Sequence, residues 1–562
     1  MFLADIKSLF NADKSSLTAN NISDDLLYSF DKEIQNLADN NNISQEVIHV
    51  YSKFVSMKQD APDSMKNTLF ITIRNFAKEQ TDNQKYLESL ILYRFLIVKS
   101  ELIPDDYLTI AENLARLEIK NIALGFANLY VKKETNKALM FISLANFYNL
   151  LIKDYKTAIK YYEKYLEIDK TKSVVYTITA NLYAKAYGDE SIKEQLSYWK
   201  KAYKLKPHDR LILHGLAFGY EKLGDKNKAL QYYKELLQNN PTNIDYFNYG
   251  AFMISCGDFQ EGHKYFRYRF LIDDNNYKYP IQCDDNKKWD LETDISDKTL
   301  LVHYEQGFGD TIMYCRFVPQ LKNFAQKIIF VVQDNLFELI KNSPLISNDI
   351  EIISGNTDLS SIEYDYNMSL LDAPYVLKTK TSDIPFCDKN YIDIDGQKIK
   401  DYAKNYITPS SNLKIGISYN GDKNANYNDR NIDLNKFNLL TDINNIDFYS
   451  LQYDEESQNP KIKSLGKSFK NFTDTAAAIK NMDIIISTDN VILNLAGALG
   501  VKTIGLFNKQ TNYRWFKGLN TQNAQDKNNV GWYESIKPLQ TDVQNNWTPI
   551  FIELIKILTE NK

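Results

Sequence analysis

The sequence predicts an α-helical solenoid followed by two Rossmann-like α/β domains with parallel sheets. Three observations carry that prediction. A 34-residue period runs through part of the N-terminal half, the spacing of stacked helix pairs. The C-terminal half alternates short apolar runs with helical stretches, the pattern of doubly wound parallel sheets. Between them, residues 299–321 (TLLVHYEQGFGDTIMYCRFVPQL) pass from an apolar strand through a glycine-rich elbow into an amphipathic helix. That is the first half of a mononucleotide-type βα unit.

Residues 1–137 read as helices, with helical apolar spacing over Gln45–Met57, Tyr86–Ser100 and Tyr107–Leu117. No clean 34-residue register covers them, so they are expected to be degenerate helical repeats or a cap for the solenoid. Residues 138–275 carry the repeats. One unit ends at Pro241 and the preceding one at Pro207, 34 positions earlier. Ala217, Tyr220, Leu223-Gly224, Ala229 and Tyr233 mark the first of these, and Ala180, Tyr183, Trp199 and Ala202 the second. An earlier unit has Ala145, Tyr148, Ala158, Tyr162 and Tyr165; a divergent last one keeps Gly250, Gly257, Gly262 and Phe266. Small residues let paired helices approach, aromatics fill the groove between them, and proline ends the second helix. Each Tyr and Phe here is read first as core. The segment resembles tetratricopeptide-repeat proteins, which implies a face for a protein partner.

The strand candidates that follow form two series. The first is Thr299–His303, Lys327–Gln333, Ile350–Ser354 and Tyr364–Leu370. The second is Lys414–Tyr419, Phe448–Gln452, Asp483–Ser487 and Lys502–Phe507, with the join near Asp401–Ser411. Residues 276–405 and 406–562 are therefore expected to form two Rossmann-like domains facing across a cleft, where a ligand would bind.

Composition narrows the function. Among 562 residues, 67 Lys and Arg face 72 Asp and Glu, and no basic block stands out, so no nucleic-acid partner is expected. Four scattered cysteines without CxxC spacing read as reduced thiols, and no 18-residue apolar run or signal-like N-terminus occurs. A cytoplasmic protein without a transmembrane segment is the expectation. The five histidines form no HxxxH or HExxH pair, so no zinc site is read, and neither a GxSxG elbow nor a P-loop GKS/GKT is present.

Three segments carry chemistry besides the elbow. In the elbow, Asp310 opens the helix after Gly307 and Gly309; it suits a helix cap, and it equally suits a general base at a cleft. The loop Asn428-Asp429-Arg430-Asn431 offers one guanidinium, a bidentate partner for phosphate. After strand Asp483–Ser487, Asp489 and Asn490 are natural N-cap residues for the helix Val491–Leu499, whose N–H groups could hold a diphosphate. Ala496, Gly497 and Ala498 would let that helix lie close to the sheet. In Asn512-Tyr513-Arg514-Trp515, Arg514 and the aromatics could frame a base or sugar; for Arg514 alone a surface salt bridge is the default.

Taken in order, WD…LLVHYEQGFGDTIMYCRFVPQL, the NDRN loop, SLQ at 450–452, DTAAAI, STDN…NLAGALG and NYRWF resemble the heptosyltransferase-like (ADP-heptose:lipopolysaccharide) glycosyltransferases. The resemblance is in particular to bacterial versions that carry tetratricopeptide repeats, and it covers residues 138–562. It implies the GT-B fold, with a nucleotide-diphosphate sugar on the C-terminal Rossmann domain, an acceptor on the N-terminal one, and neither cofactor nor metal. By the same resemblance Asp310 is the base that deprotonates the acceptor hydroxyl, with Gln306, Gly307 and Gly309 forming the acceptor-side loop. Arg430, Asp489, Asn490, Asn494, Gly497, Gln452 and Arg514 fall on the donor side. Asn494 stands where the family usually has histidine; asparagine still donates a hydrogen bond but cannot become cationic. The implied function is metal-independent, inverting transfer of a hexosyl or heptosyl group to a hydroxyl of a protein or a cell-surface glycan. The alternative is a non-catalytic tetratricopeptide scaffold with a degenerate glycosyltransferase domain.

Overall fold

The computed structural model describes residues 22–40, 43–55, 62–272, 281, 283–347, 349–421, 430–453, 455–457, 459–516 and 531–560. Met57, and Asn428-Asp429 of the NDRN loop, lie outside the described residues. The chain divides into two compact units, Met1–Leu223 and Gly224–Lys562.

The described residues of the first unit form helices and the short links between them. Successive helices pair as hairpins: Asp63–Asp82 with Tyr86–Val98, Pro104–Arg116 with Lys120–Lys133, Lys137–Phe147 with Tyr155–Ile168, and Ser173–Tyr187 with Ile192–Leu205. Hairpin pairing thus begins well before residue 138. The helix Tyr86–Val98 explains why no repeat register shows there. Its helical spacing shows in the sequence, but burial on all sides from Glu88 to Val98 leaves no polar stripe to mark a repeat register. Its arginine, Arg94, is held by Asp31, with Nε donating to Oδ1 at 2.9 Å. In the repeats, Ala145, Ala158, Tyr162, Ala180, Trp199, Ala202, Ala217 and Tyr220 are all buried, as packing residues should be.

The second unit opens with helices Lys226–Leu236, Asn243–Ser255 and Phe259–Phe266. Asp225 and Asp258 cap two of them, accepting from Lys228 N at 3.1 Å and Glu261 N at 3.2 Å. Two all-parallel sheets follow, as expected of two Rossmann-like domains. The first has β1 (Thr299–His303), β2 (Lys327–Val332), β3 (Ile350–Ser354) and β4 (Tyr366–Ser369), in the order β3-β2-β1-β4. The second comprises β5 (Leu413–Ser418), β6 (Ile446–Ser450), β7 (Ile462–Ser464), β8 (Ile484–Thr488), β9 (Thr503–Phe507) and β10 (Ile536–Gln540), in the order β10-β9-β8-β5-β6-β7. Burial of β1, β2, β8 and β9 on both faces is what made them read as unbroken apolar runs.

Two strands escaped the sequence pattern. β7 is only three residues long. β10 contains Pro538, which signals against a strand; it lies at a sheet edge, where a missing N–H is tolerated. The helix expected over Thr311–Leu321 also differs. The α-helix is Phe308–Tyr314, and Cys315–Asn323 continues it as 3₁₀ turns around Pro319, which cannot donate to an α-helical ladder. Among the described residues, no helix is long and apolar enough to cross a membrane.

In each sheet the chain starts at an inner strand and then builds outward on both sides. β1 has β2 on one side and β4 on the other; β5 has β6 and β8. Both sheets therefore have a topological switch point, where the departing loops diverge and leave a crevice at the strands' carboxyl ends.

Candidate functional site

The two crevices meet. On the first sheet the chain leaves β1 through Tyr304, Glu305 and Gln306, whose φ of +63° lies in the left-handed region seldom adopted by a residue with a side chain. Gly307 is then the N-cap of the helix Phe308–Tyr314, and Asp310 sits three positions in. Its Oδ2 reaches back to accept from Gly307 N at 3.1 Å, so both readings of Asp310 as cap and as cleft carboxylate are compatible with its place. On the second sheet β8 runs through Asp489 into the helix Val491–Ala498, capped by Asn490.

The starts of these two helices touch. A methyl group on Gly309 would lie 3.1 Å from Asn494 Nδ2 and 3.7 Å from Val491 Cα, so glycine is what lets them approach this closely. The loop after β9 then carries Arg514 across to the first sheet. Its Nε lies 2.5 Å from Asp310 Oδ1, and Nη2 donates to Gln306 Oε1. The Nε–H does not point along the short contact and makes no hydrogen bond, so this is an ion pair held by proximity alone. Beside it, Arg430 Nη1 donates to Asp489 Oδ2 at 3.3 Å. Asp310, Asp489, Arg430 and Arg514 thus form one cluster of two acids and two bases drawn from both sheets.

Burial pushes the Asp310 carboxyl above the usual carboxylate range; Arg514 and the Gly307 N–H oppose this, while Asp489 and Glu305 add to it. Burial works against the Arg514 cation too, but Asp310, Tyr513, Tyr314 and Asp489 together more than offset it, so Arg514 stays charged.

The remaining donor-side residues are engaged within the protein. Asn490 Oδ1 accepts from Ile492 N at 2.9 Å and Leu493 N at 3.4 Å, so two of the N–H groups expected to face a diphosphate are already taken. Its Nδ2 donates to Ser418 Oγ at 3.0 Å, tying the ends of β5 and β8 together at the switch point. Asn494 is buried, donates to Asn490 O at 3.2 Å and accepts from Tyr533 OH at 3.1 Å. A methyl on Gly497 would meet the Tyr533 ring at 2.6 Å, so that glycine makes room for the ring. Gln452 clamps the backbone of Asn420, accepting from its N at 3.1 Å and donating to its O at 3.2 Å.

Sequence reasoning passed over a second charged cluster, next to the first. Glu305, between β1 and the elbow, receives both Nε and Nη2 of Arg269 at 2.8 Å, and Nη2 also donates to Asp372 Oδ1 at 2.9 Å. Ser369 Oγ donates to Glu305 as well. Arg269 comes from the turn that ends the last repeat helix, so the repeat terminus is bonded directly to the elbow. An acid two residues beyond a buried apolar strand was the available signal. Among the described residues, no group of three or more His, Cys, Asp or Glu is placed to hold a metal ion.

A Tetratricopeptide repeat family model matches residues 211–243. No curated protein matches the chain in sequence. Among solved structures the chain is similar to a glycosyl transferase family 9 protein from Veillonella parvula DSM 2008: 12% identity, TM-score 0.34, covering 47% of this chain and 91% of that one. It is also similar to the C-terminal part of a TPR repeat-containing protein from Cytophaga hutchinsonii, at 17% identity and TM-score 0.33, covering 44% of this chain and 96% of that one. A third is MamA from Desulfovibrio magneticus RS-1, at 19% identity and TM-score 0.26, covering 30% and 93%. Likeness at this level bears on neither substrate nor activity; the residues of the cleft must do that.

Proposed function

We propose that the second unit is a metal-independent glycosyltransferase that uses a nucleotide-diphosphate sugar, and that the repeats hold a protein partner or protein acceptor. The observation that carries this reading is the meeting of Asp310 with Arg514, Arg430 and Asp489 where two parallel-sheet switch points face each other. A carboxylate and two guanidiniums at such a crevice suit one substrate whose proton must leave and another whose diphosphate must be held.

In the proposed reaction Asp310 accepts the proton of an acceptor hydroxyl. The acceptor oxygen bonds to the anomeric carbon as the bond from that carbon to the diphosphate oxygen breaks, and the electron pair leaves with the nucleoside diphosphate. Arg430 and Arg514 stabilise that departing charge, helped by the dipole of the Val491–Ala498 helix. Attack opposite the leaving group gives inversion. Asp310→Asn and Arg430→Ala should each lower turnover of the nucleotide sugar on the order of a hundredfold or more. Turnover intact in both variants would end the proposal.

A second reading, a protein-binding scaffold whose transferase domain no longer turns over, is favoured by Asn494. That side chain is buried and spends its hydrogen bonds on Tyr533 and Asn490, not on the cleft. Capture of a protein partner with no sugar-nucleotide binding would select it.

A further inference from the structure

Asp310 uses its two oxygens differently. Oδ2 is anchored by the Gly307 N–H, and Oδ1 makes the short contact with Arg514. Withdrawal of Arg514 would therefore free one oxygen while the carboxylate kept its orientation. The main chain of Arg514 is fixed: its N–H donates to Asn512 Oδ1 at 3.2 Å, and its carbonyl accepts from Trp532 Nε1 at 2.7 Å. Only the side chain would have to move, giving up the Nη2 bond to Gln306, and its guanidinium already lies 4.9 Å from the Tyr513 ring centroid, a surface along which a cation can slide. The Nε–H is misaligned with Asp310, so the directional part of the bond is not there to lose. Asp489 and Arg430 next door already balance one another, which leaves Arg514 as the group whose reassignment changes the charge at Asp310.

We propose that Arg514 couples donor binding to the base: it holds Asp310 until the diphosphate of a nucleotide sugar takes its guanidinium, which releases Asp310 Oδ1 for the acceptor hydroxyl. The inference rests on the glycosyltransferase reading above. A dianionic diphosphate outcompetes one carboxylate for a guanidinium, because it offers more charge and more acceptor oxygens in a bidentate geometry. Donor then binds before acceptor, and the base is unmasked only in a loaded cleft.

The test reads competition directly. ADP-glucose, GDP-mannose and UDP-glucose are titrated calorimetrically into the full-length wild type, Asp310→Asn and Arg514→Gln. The nucleotide sugar that binds the wild type should bind Asp310→Asn about tenfold more tightly, the scale of one nearby charge, and Arg514→Gln at least tenfold more weakly. Unchanged or weaker binding to Asp310→Asn overturns the coupling and leaves the glycosyltransferase reading standing. No binding of any of the three to any variant overturns both. Should Asp310→Asn fail to fold by circular dichroism, a pH series on the wild type reads the same competition. The diphosphate diester stays ionised, so affinity must rise as pH falls through the raised titration of Asp310, and a flat profile overturns the coupling.

Discussion

Glu305 and Asp310 lie five residues apart on one elbow, and each faces an arginine, yet the two pairs are built on different principles. Arg269 and Glu305 are each 1% exposed, aligned in a bidentate fork, with Asp372 and Ser369 completing the set. Arg514 and Asp310 are 14% and 13% exposed and meet at short range without alignment. The first pair has every polar atom committed and fixes the elbow to the last repeat. In the second, the arginine meets its carboxylate without a directed bond, and the proposed coupling would exchange that carboxylate for a diphosphate. Ion pairs are thus told apart by alignment and saturation more than by distance.

Breaking the first pair should give the largest effect. Arg269→Met leaves Glu305 and Asp372 as buried, uncompensated charges and should cost about 3–5 kcal/mol in urea unfolding. A loss below about 1 kcal/mol would erase the distinction between the clusters.

The next effect concerns His263, which is buried beside Arg269 with neither ring nitrogen hydrogen-bonded. Burial, aided by Arg269, pushes its titration down to about 3. The unfolded chain therefore binds a proton below about pH 6.5 that the folded chain refuses. Its contribution is present in full above that pH and is lost as pH falls toward 3. Relative to His263→Phe, the wild type should lose on the order of 3 kcal/mol between pH 7 and pH 4. Parallel stability curves for the two proteins would contradict this.

Smaller still is Gly497→Ala, whose added methyl must displace the Tyr533 ring and through it Asn494. Overpacking of this kind should cost about 1–3 kcal/mol, read as a lowered Tm. The smallest stability effect belongs to Arg514→Gln: the Asp310 carboxyl, which burial already holds above the usual range, can take up a proton once Arg514 is gone, although the same change should strongly weaken nucleotide binding. If it destabilised the fold as much as Arg269→Met, the second pair would be a structural lock like the first.

Much of the architecture was legible because it depends on local patterns. Buried strands such as Ile484–Thr488 announce themselves as apolar runs, and the repeats through Ala217, Tyr220 and Tyr233. Where a pattern depends on having an exposed face, it failed: the wholly buried Tyr86–Val98 helix hid the early hairpins. Edge strand β10, with its Pro538, failed for the opposite reason. At the site, residue types marked Asp310, Arg430, Asp489 and Arg514, which lie together at the two switch points. They did not foretell which would be spent internally. Asn490, Asn494, Gly497 and Gln452 are committed to caps, packing and backbone clamps, and those commitments depend on partners such as Tyr533 and Asn420 that lie tens of residues away. The Arg269–Glu305–Asp372 cluster spans more than a hundred residues and left only the oddity of an acid after a buried strand.

The most direct test of the central claim is the thermal stability of the purified protein with ADP, GDP, UDP and CDP, beside Arg430→Ala. A ligand at a hundred times its dissociation constant adds about 2.7 kcal/mol, a readily visible shift in Tm. The account predicts stabilisation by at least one nucleoside diphosphate and its loss in Arg430→Ala. An unmoved Tm with all four, or a shift that survives in Arg430→Ala, would contradict a diphosphate site at this cleft.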